Sequence, residues 1–225
     1  MTGGTAFLPV EAAKQAGAVD VLFYGEVGIS VLVSLIVACL VVGFVTRYRR
    51  GSPASRRKLP QAFSHEVEII WTVGTFFAFV AIFWWAATLN LIHLRPPDHT
   101  LDIRVVAKQW MWKIEQPNGV REIDAMHLPV DTPVRLIMTS QDVIHSFYVS
   151  AFRAKQDVVP GRVETLWFTP DRIGTYQLLC AEYCGLGHSL MRGEITVMSK
   201  ADYARWCARM KAAAQVKTAR NGEAP

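Results

Sequence analysis

The sequence predicts a membrane-anchored all-β protein: a two-helix transmembrane hairpin, then a β-sandwich or barrel, then a short C-terminal helix. Three observations carry this. Two long uncharged runs occupy the first part of the chain, and short strand-like segments separated by turn residues fill the rest. The composition is also too apolar for an ordinary soluble domain, with 51% hydrophobic and 19% charged residues among 225 and a mean hydropathy of +0.20. An 11% aromatic share with seven Trp excludes a disordered chain and can fill one core.

The first run, Val27 to Val45, reads VGISVLVSLIVACLVVGFV, and the second, Ile69 to Leu91, reads IIWTVGTFFAFVAIFWWAATLNL. A helix of about 20 apolar residues crosses a bilayer. The spans are therefore placed at 27–46 and 67–93, with 1–26 as an external N-terminal segment and 47–66 as a basic loop; a buried core helix is the alternative reading of either run. The loop carries Arg47, Arg49, Arg50, Arg56, Arg57 and Lys58, against Lys14 alone before the first span. The positive-inside rule puts that loop in the cytoplasm and both termini outside. Glu11, Asp20 and Glu26 precede the first run and no small-residue cleavage site follows it, so it reads as an anchor rather than a signal peptide. Beyond residue 94 the chain has 17 cations against 14 acids with no basic stripe, and nucleic-acid binding is excluded.

Pro96 and Pro97 mark the change of solvent. Segments 102–115, 133–139, 162–169, 174–179 and 193–198 are short, rich in β-branched and aromatic residues, and bounded by Pro, Gly or Asp turns, which makes 94–199 the sandwich or barrel. Residues 200–225 follow as helix and tail: Ser199 can cap, Asp202 lies in the first turn, Trp206 and Met210 are four apart, and the chain from about Thr218 frays.

The informative stretch runs from Cys180 to Met191 and holds Cys180, Cys184, His188 and Met191 on a Gly-containing loop between two strands. Thiolate, imidazole and thioether together favour copper, because magnesium and calcium take oxygen and zinc seldom takes a thioether. A cupredoxin-type site draws a further His from an earlier strand. His145, in the strand-like DVIHSFYVS, is preferred over His127, which lies nearer a turn. A Cys180–Cys184 disulfide or a two-Cys, two-His zinc site are the alternatives; the first leaves His188 and Met191 without a role, the second Met191. Cys39 and Cys207 read as packing residues.

These residues, with Val-Ile-His-Ser at 143–146, Gln-Trp-Met-Trp at 109–112, Lys-x-Asp-x-x-Pro-Gly-Arg at 155–162 and the two spans, resemble subunit II of heme-copper cytochrome c oxidase over about residues 20–210. The resemblance implies a cupredoxin-like Greek-key domain carrying the dinuclear copper centre CuA. In it Cys180 and Cys184 bridge two coppers, His145 and His188 bind one each, and Met191 and the Glu182 backbone carbonyl complete the shells. It also implies that the Glu182 side chain reaches Mg2+ at the interface with subunit I, with Asp157 near the same ion through water. Trp110 would be the exposed aromatic where an electron arrives, and Glu68, at the cytoplasmic mouth of the second span, the entrance of a proton path. Trp110 and Trp112 share a face on an alternating strand, so core packing competes with that role.

Two departures stand out. Met111 replaces the Tyr that the family commonly has between the two Trp, and the acidic excess from Lys113 to Asp142 is only two, where members served by a lysine-ringed cytochrome c carry a run of carboxylates. The donor is then a cytochrome c or a membrane-bound electron carrier. Expected partners are subunit I, subunit III and membrane lipid, in a bacterial plasma membrane rather than a mitochondrial one, with the copper domain on the outer face. Oxygen reduction and proton pumping belong to subunit I, not to this chain alone. The competing readings are a membrane-anchored copper-binding or assembly protein and a quinol-oxidase homologue, the latter opposed by the complete ligand set.

Overall fold

The computed structural model describes residues 8–54 and 61–220; Arg56, Arg57 and Lys58 lie outside the described residues. The chain divides into two units, Ala18–Leu91 and a second made of the segment before it together with Ile92 onward.

The first unit is helical. α1 (Ala16–Arg47) and α2 (Gln61–His93) are each long and apolar enough to cross a membrane. Large side chains such as Phe79, Phe83 and Trp84 are more than two-thirds exposed, the surface expected of a helix made for hydrocarbon rather than for a core. Both helices start upstream of the predicted spans. Hydropathy ends at Glu26 and at Glu68, whereas helix propensity does not: residues 16–26 and 61–66 contain no proline, and their charges are compatible with a helix.

The second unit is a cupredoxin-like sandwich of ten strands: β1 (Leu101–Lys108), β2 (Met111–Glu115), β3 (Arg121–Ile123), β4 (Ala125–Pro129), β5 (Val134–Ser140), β6 (His145–Val149), β7 (Ala154–Val158), β8 (Glu164–Phe168), β9 (Gly174–Cys180) and β10 (Arg192–Met198). One sheet has the order β3-β2-β1-β5-β8, the other β4-β10-β9-β6-β7. Neighbours are antiparallel except β1 with β5 and β4 with β10. Strict alternation along β5, with Val134, Leu136 and Met138 buried and Arg135, Ile137 and Thr139 facing out, fixes which side is core. Trp112, Phe147, Phe168, Leu136 and Leu178 fill the space between the sheets.

Two expectations change. Segment 102–115 is a hairpin rather than one strand, reversing at Gln109 and Trp110, so Trp110 and Trp112 do not share a face: Trp112 is fully buried and Trp110 is 40% exposed. β3, β4 and β7 are short and of mixed polarity (REI, AMHLP, AKQDV), which hid them from a periodicity reading and placed His127 in a strand rather than near a turn. The N-terminal segment packs on the sandwich: the Ala12 N–H donates to the Ala151 carbonyl at 2.9 Å, Ala13 bridges to Pro170, and both alanines are buried.

α3 (Lys200–Arg220) begins where Ser199 Oγ accepts the Asp202 N–H at 3.1 Å. Its inner face packs on β4: Trp206 stacks on His127 with ring centroids 4.4 Å apart, and the Tyr203 hydroxyl donates to Gln116 Oε1 at 2.9 Å. Regular helix runs to Arg220, past the expected fraying point at Thr218; residues 221–225 lie outside the described residues.

Candidate metal centre

The site lies at one end of the sandwich, where sheet ends deliver ligands that are far apart in sequence. β9 ends at Cys180, β6 begins at His145, and Met191 immediately precedes β10. The Cys180 N–H donates to the Met191 carbonyl at 3.2 Å, which closes the neck of the loop, and the Ala181 N–H donates to the Ser146 carbonyl at 3.0 Å, which ties the loop to β6. A short 3-10 turn at His188–Leu190 swings His188 back over the loop.

The two thiols lie 3.8 Å apart. His145 Nδ1 is 3.9 Å from Cys180 Sγ, and His188 Nδ1 is 3.5 Å from Cys184 Sγ. Met191 Sδ lies 3.8 Å from Cys184 Sγ, and the Glu182 carbonyl oxygen 3.3 Å from Cys180 Sγ. All six predicted donors thus meet. His127 does not join them: its Nδ1 lies 2.6 Å from Glu122 Oε1, beneath α3. The cluster is enclosed, with His145, Cys180, Cys184 and Met191 buried.

Asp142, which the sequence reading passed over, orders this cluster. Its carboxylate accepts the Gln109 N–H at 2.7 Å and the Val143 N–H at 2.7 Å, and lies 2.9 Å from His145 Nε2. Burial works against its ionisation, but these hydrogen bonds win and hold its carboxyl at about 2. An ionised carboxylate can only accept, so Nε2 carries the imidazole proton and the Nδ1 lone pair is left facing Cys180. Burial first, then the neighbouring Cys180 sulfur, push the Cys184 thiol up to about 12. The unmetallated Cys184 thiol therefore keeps its proton at neutral pH, and metal uptake must release it.

Trp110 is tied to the same loop. Its Nε1 donates to the Cys184 carbonyl at 3.2 Å, and Gln109 Nε2 donates to that oxygen at 2.8 Å. The indole lies flat against Gly187, where an added Cβ would stand 2.4 Å from ring atom Cδ2. Gln109 and Gly187 were missed because nothing in the loop sequence shows that the β1–β2 turn folds onto it. Glu182 has an exposed side chain. Asp157 accepts Ser146 Oγ at 2.7 Å and Lys155 Nζ at 2.9 Å. Glu68, on α2, has an exposed side chain with His65 Nδ1 3.8 Å from its Oε2.

Neighbouring donors 3.5 to 3.9 Å apart are compatible with metal–ligand bonds of about 2.0–2.3 Å, and two sulfurs, two imidazoles, a thioether and a carbonyl are a set that copper accepts. A membrane-anchored cupredoxin-like domain with a buried soft-donor cluster is the class that fold and site define. Comparison with known proteins makes it particular. Residues 119–199 match the family described as cytochrome c oxidase subunit II, periplasmic domain. A probable cytochrome c oxidase subunit 2 of Rickettsia bellii is 33% identical over 228 residues, covering 91% of this chain and 80% of the relative. The alternative cytochrome c oxidase subunit 2 of Bradyrhizobium diazoefficiens is 34% identical over 147 residues, and the match spans 53% of its length. Among solved structures, the periplasmic domain of subunit II of cytochrome oxidase from Bradyrhizobium japonicum matches 52% of this chain at 29% identity with a TM-score of 0.50. The chain belongs to the cytochrome c oxidase subunit II family.

Proposed function

We propose that this chain is the electron-accepting subunit of a heme-copper terminal oxidase. Cys180, Cys184, His145, His188, Met191 and the Glu182 carbonyl would together hold its dinuclear copper centre. The observation that carries this is the convergence of all six donors in one cluster, four of them buried. When bound, such a copper pair takes up and gives away one electron at a time, sharing it across the two thiolates. The chain's own residues hold the ligands still. Asp142 fixes the His145 tautomer, the neighbouring strands β9 and β10 clamp the loop ends, and Trp110 stands half-exposed on the loop's carbonyl as the point where an electron arrives from a donor.

The electron would then pass to heme in subunit I, where oxygen is reduced to water with proton pumping. Exposed Tyr183, Leu186 and Leu190 on the metal loop support a partner surface there. On the same reading the Glu182 carboxylate, free on that surface, supplies an oxygen ligand for Mg2+ at the subunit I interface, Asp157 lies near that ion, and Glu68 opens the proton path. Residues 27–46 and 67–93 are the membrane-crossing parts, with the copper domain on the periplasmic side of a bacterial plasma membrane and subunit III in the same assembly. Burial of four of the donors favours a resident centre over a labile delivery site.

The test is a copper count with an electron paramagnetic resonance spectrum of the full chain after copper reconstitution. Two coppers sharing one unpaired electron, with that signal lost in Cys184→Ser, is the expected result. One localised copper, or a Cys180–Cys184 disulfide with none, refutes it.

A further inference from the structure

The carboxylates that could attract a lysine-ringed donor are engaged elsewhere. Between Lys113 and Asp142, Glu122 is buried against His127 and Gln116. Asp124 accepts the Trp112 N–H at 2.7 Å, and Asp142 serves Gln109 and His145. Asp131 pairs with Lys14 at the far end of the sheet, and Glu115 sits between Arg121 at 3.0 Å and Arg104 at 4.0 Å. None forms an acidic ring around Trp110.

The cations are placed the other way. Strand alternation and register put Arg104, Lys108, Lys113, Arg121 and Arg135 on the outer face of the β3-β2-β1-β5-β8 sheet. Among the described residues Asp102 and Glu115 are the acids on that face, and Asp102 is hydrogen-bonded to Arg135 at 3.0 Å. Lys108 and Lys113 flank Met111 directly beside the Trp110 turn; Lys108 is exposed, and Lys113 donates to the neutral Gln141 amide. Arg104 and Arg121 are held by Glu115, so Lys108 and Lys113, the cations nearest the Trp110 turn, carry the excess charge of this face.

We propose that this outer sheet face, with the Trp110 turn at its end, is the docking surface for an electron-donor protein whose own docking face is acidic. This rests on Trp110 being where the electron arrives. One electron leaves the donor's ferrous heme and reduces the copper pair by one, and no proton moves. Unpaired cations next to the transfer point steer an anionic face into register and repel a cationic one, which acts on the association rate and fades with salt.

The test uses the assembled, copper-loaded oxidase carrying this chain. Two donors are mixed with it in stopped flow: a lysine-ringed cytochrome c, and the same protein with its lysines succinylated so that the ring is acidic. The expected result is that the acidic donor is oxidised about tenfold faster at low ionic strength, and that the difference closes above roughly 0.5 M salt, where screening acts within a few ångströms. Lys108→Glu with Lys113→Glu reverses the preference, whereas Lys200→Glu with Lys211→Glu, the same charge change on α3, leaves it. A faster lysine-ringed donor whose rate falls with salt overturns the docking proposal alone. Unchanged donor rates in the Lys108/Lys113 variant, with loss of its retention on anionic phospholipid vesicles, assign the face to lipid and also overturn it. Oxidation of neither donor by an oxidase whose copper signal is intact overturns the electron-accepting reading itself.

Discussion

Replacing Asp142 tests whether a carboxylate outside the ligand set prepares His145 for copper. The side chain accepts from the Gln109 and Val143 amides and holds His145 Nε2 at 2.9 Å. Asn fills the same volume but offers one oxygen and one NH2. With its oxygen toward Val143 and His145, its NH2 opposes the Gln109 N–H; with the amide flipped, its NH2 opposes the imidazole N–H and the His145 tautomer is no longer fixed. In the first orientation the part-buried Gln109 N–H loses its acceptor, at up to about 1–3 kcal/mol of folding stability; in the second the Val143 N–H does, and being exposed it can turn to water. His145 is fully buried, so water does not substitute. Loss of an outer partner of a metal-bound His costs about 10–100-fold in metal affinity, equivalent to about 1.4–2.7 kcal/mol. Asp142→Asn should fall near the lower end, and Asp142→Ala, which removes every acceptor, near the upper. The assay is competition for copper against a chelator of known affinity, with the thermal midpoint of the metal-free chain measured in parallel. Unchanged copper affinity in both variants, with a normal resonance spectrum, would refute the tautomer argument even if stability fell as calculated.

Gly187→Ala should preserve copper content but displace the Trp110 ring, since its Cβ would stand 2.4 Å from the indole; protein-donor oxidation slows more than reduction by a small-molecule reductant, and equal slowing of both would contradict it. Tyr203→Phe leaves Gln116 Oε1 without its hydroxyl partner, and Gln116 is buried; a loss of about 1–3 kcal/mol in a denaturant titration is expected. The Arg135 guanidinium beside Asp102 holds that carboxyl below its usual value of 3.8 against the opposing effect of burial. A depressed folded-state value adds stability that is present above the unfolded value and lost as pH falls through the folded one. Asp102→Asn should therefore flatten the acid limb of a thermal-midpoint profile at and below that value and leave its slope at neutral pH unchanged. Cutting the chain at residue 95 removes Ala12 and Ala13 from the sandwich core; the outer domain alone should melt at a lower temperature than a form in which residues 8–17 are supplied, by circular dichroism.

The ligand cluster was legible because its chemistry is local. Cys180, Cys184, His188 and Met191 lie on one loop, and only His145 had to be chosen across the fold. The spans were legible because hydrocarbon imposes length and apolarity together. What escaped depends on where a turn folds back. Trp110 and Trp112 look alike on a string, yet the hairpin makes one a core residue and the other half-exposed. Asp142 sits three residues before His145 and looked like an ordinary turn acid; only the position of the Gln109 amide shows that it is aimed inward. Ala12 and Ala13 carry no pattern at all, because small residues bury through shape rather than periodicity. The carboxylates counted along the sequence had a sign but no direction, and direction decides what a surface attracts.

One oxygen joins these observations. The Cys184 carbonyl belongs to a residue whose sulfur is a proposed copper ligand, and it accepts both the Trp110 indole N–H and the Gln109 side-chain amide. Gln109 in turn donates its backbone N–H to Asp142, which orients His145. The β1–β2 turn therefore holds the loop that carries one thiolate and the carboxylate that positions one imidazole, while presenting Trp110 to solvent. A rearrangement of that turn cannot disturb docking without disturbing the ligands, and a donor that binds the outer sheet face presses on a structure braced at both sides of the metal. On the proposed electron-accepting reading, ligands held from two directions would move little when the charge changes, so the turn would contribute rigidity at the point where the proposed partner touches it.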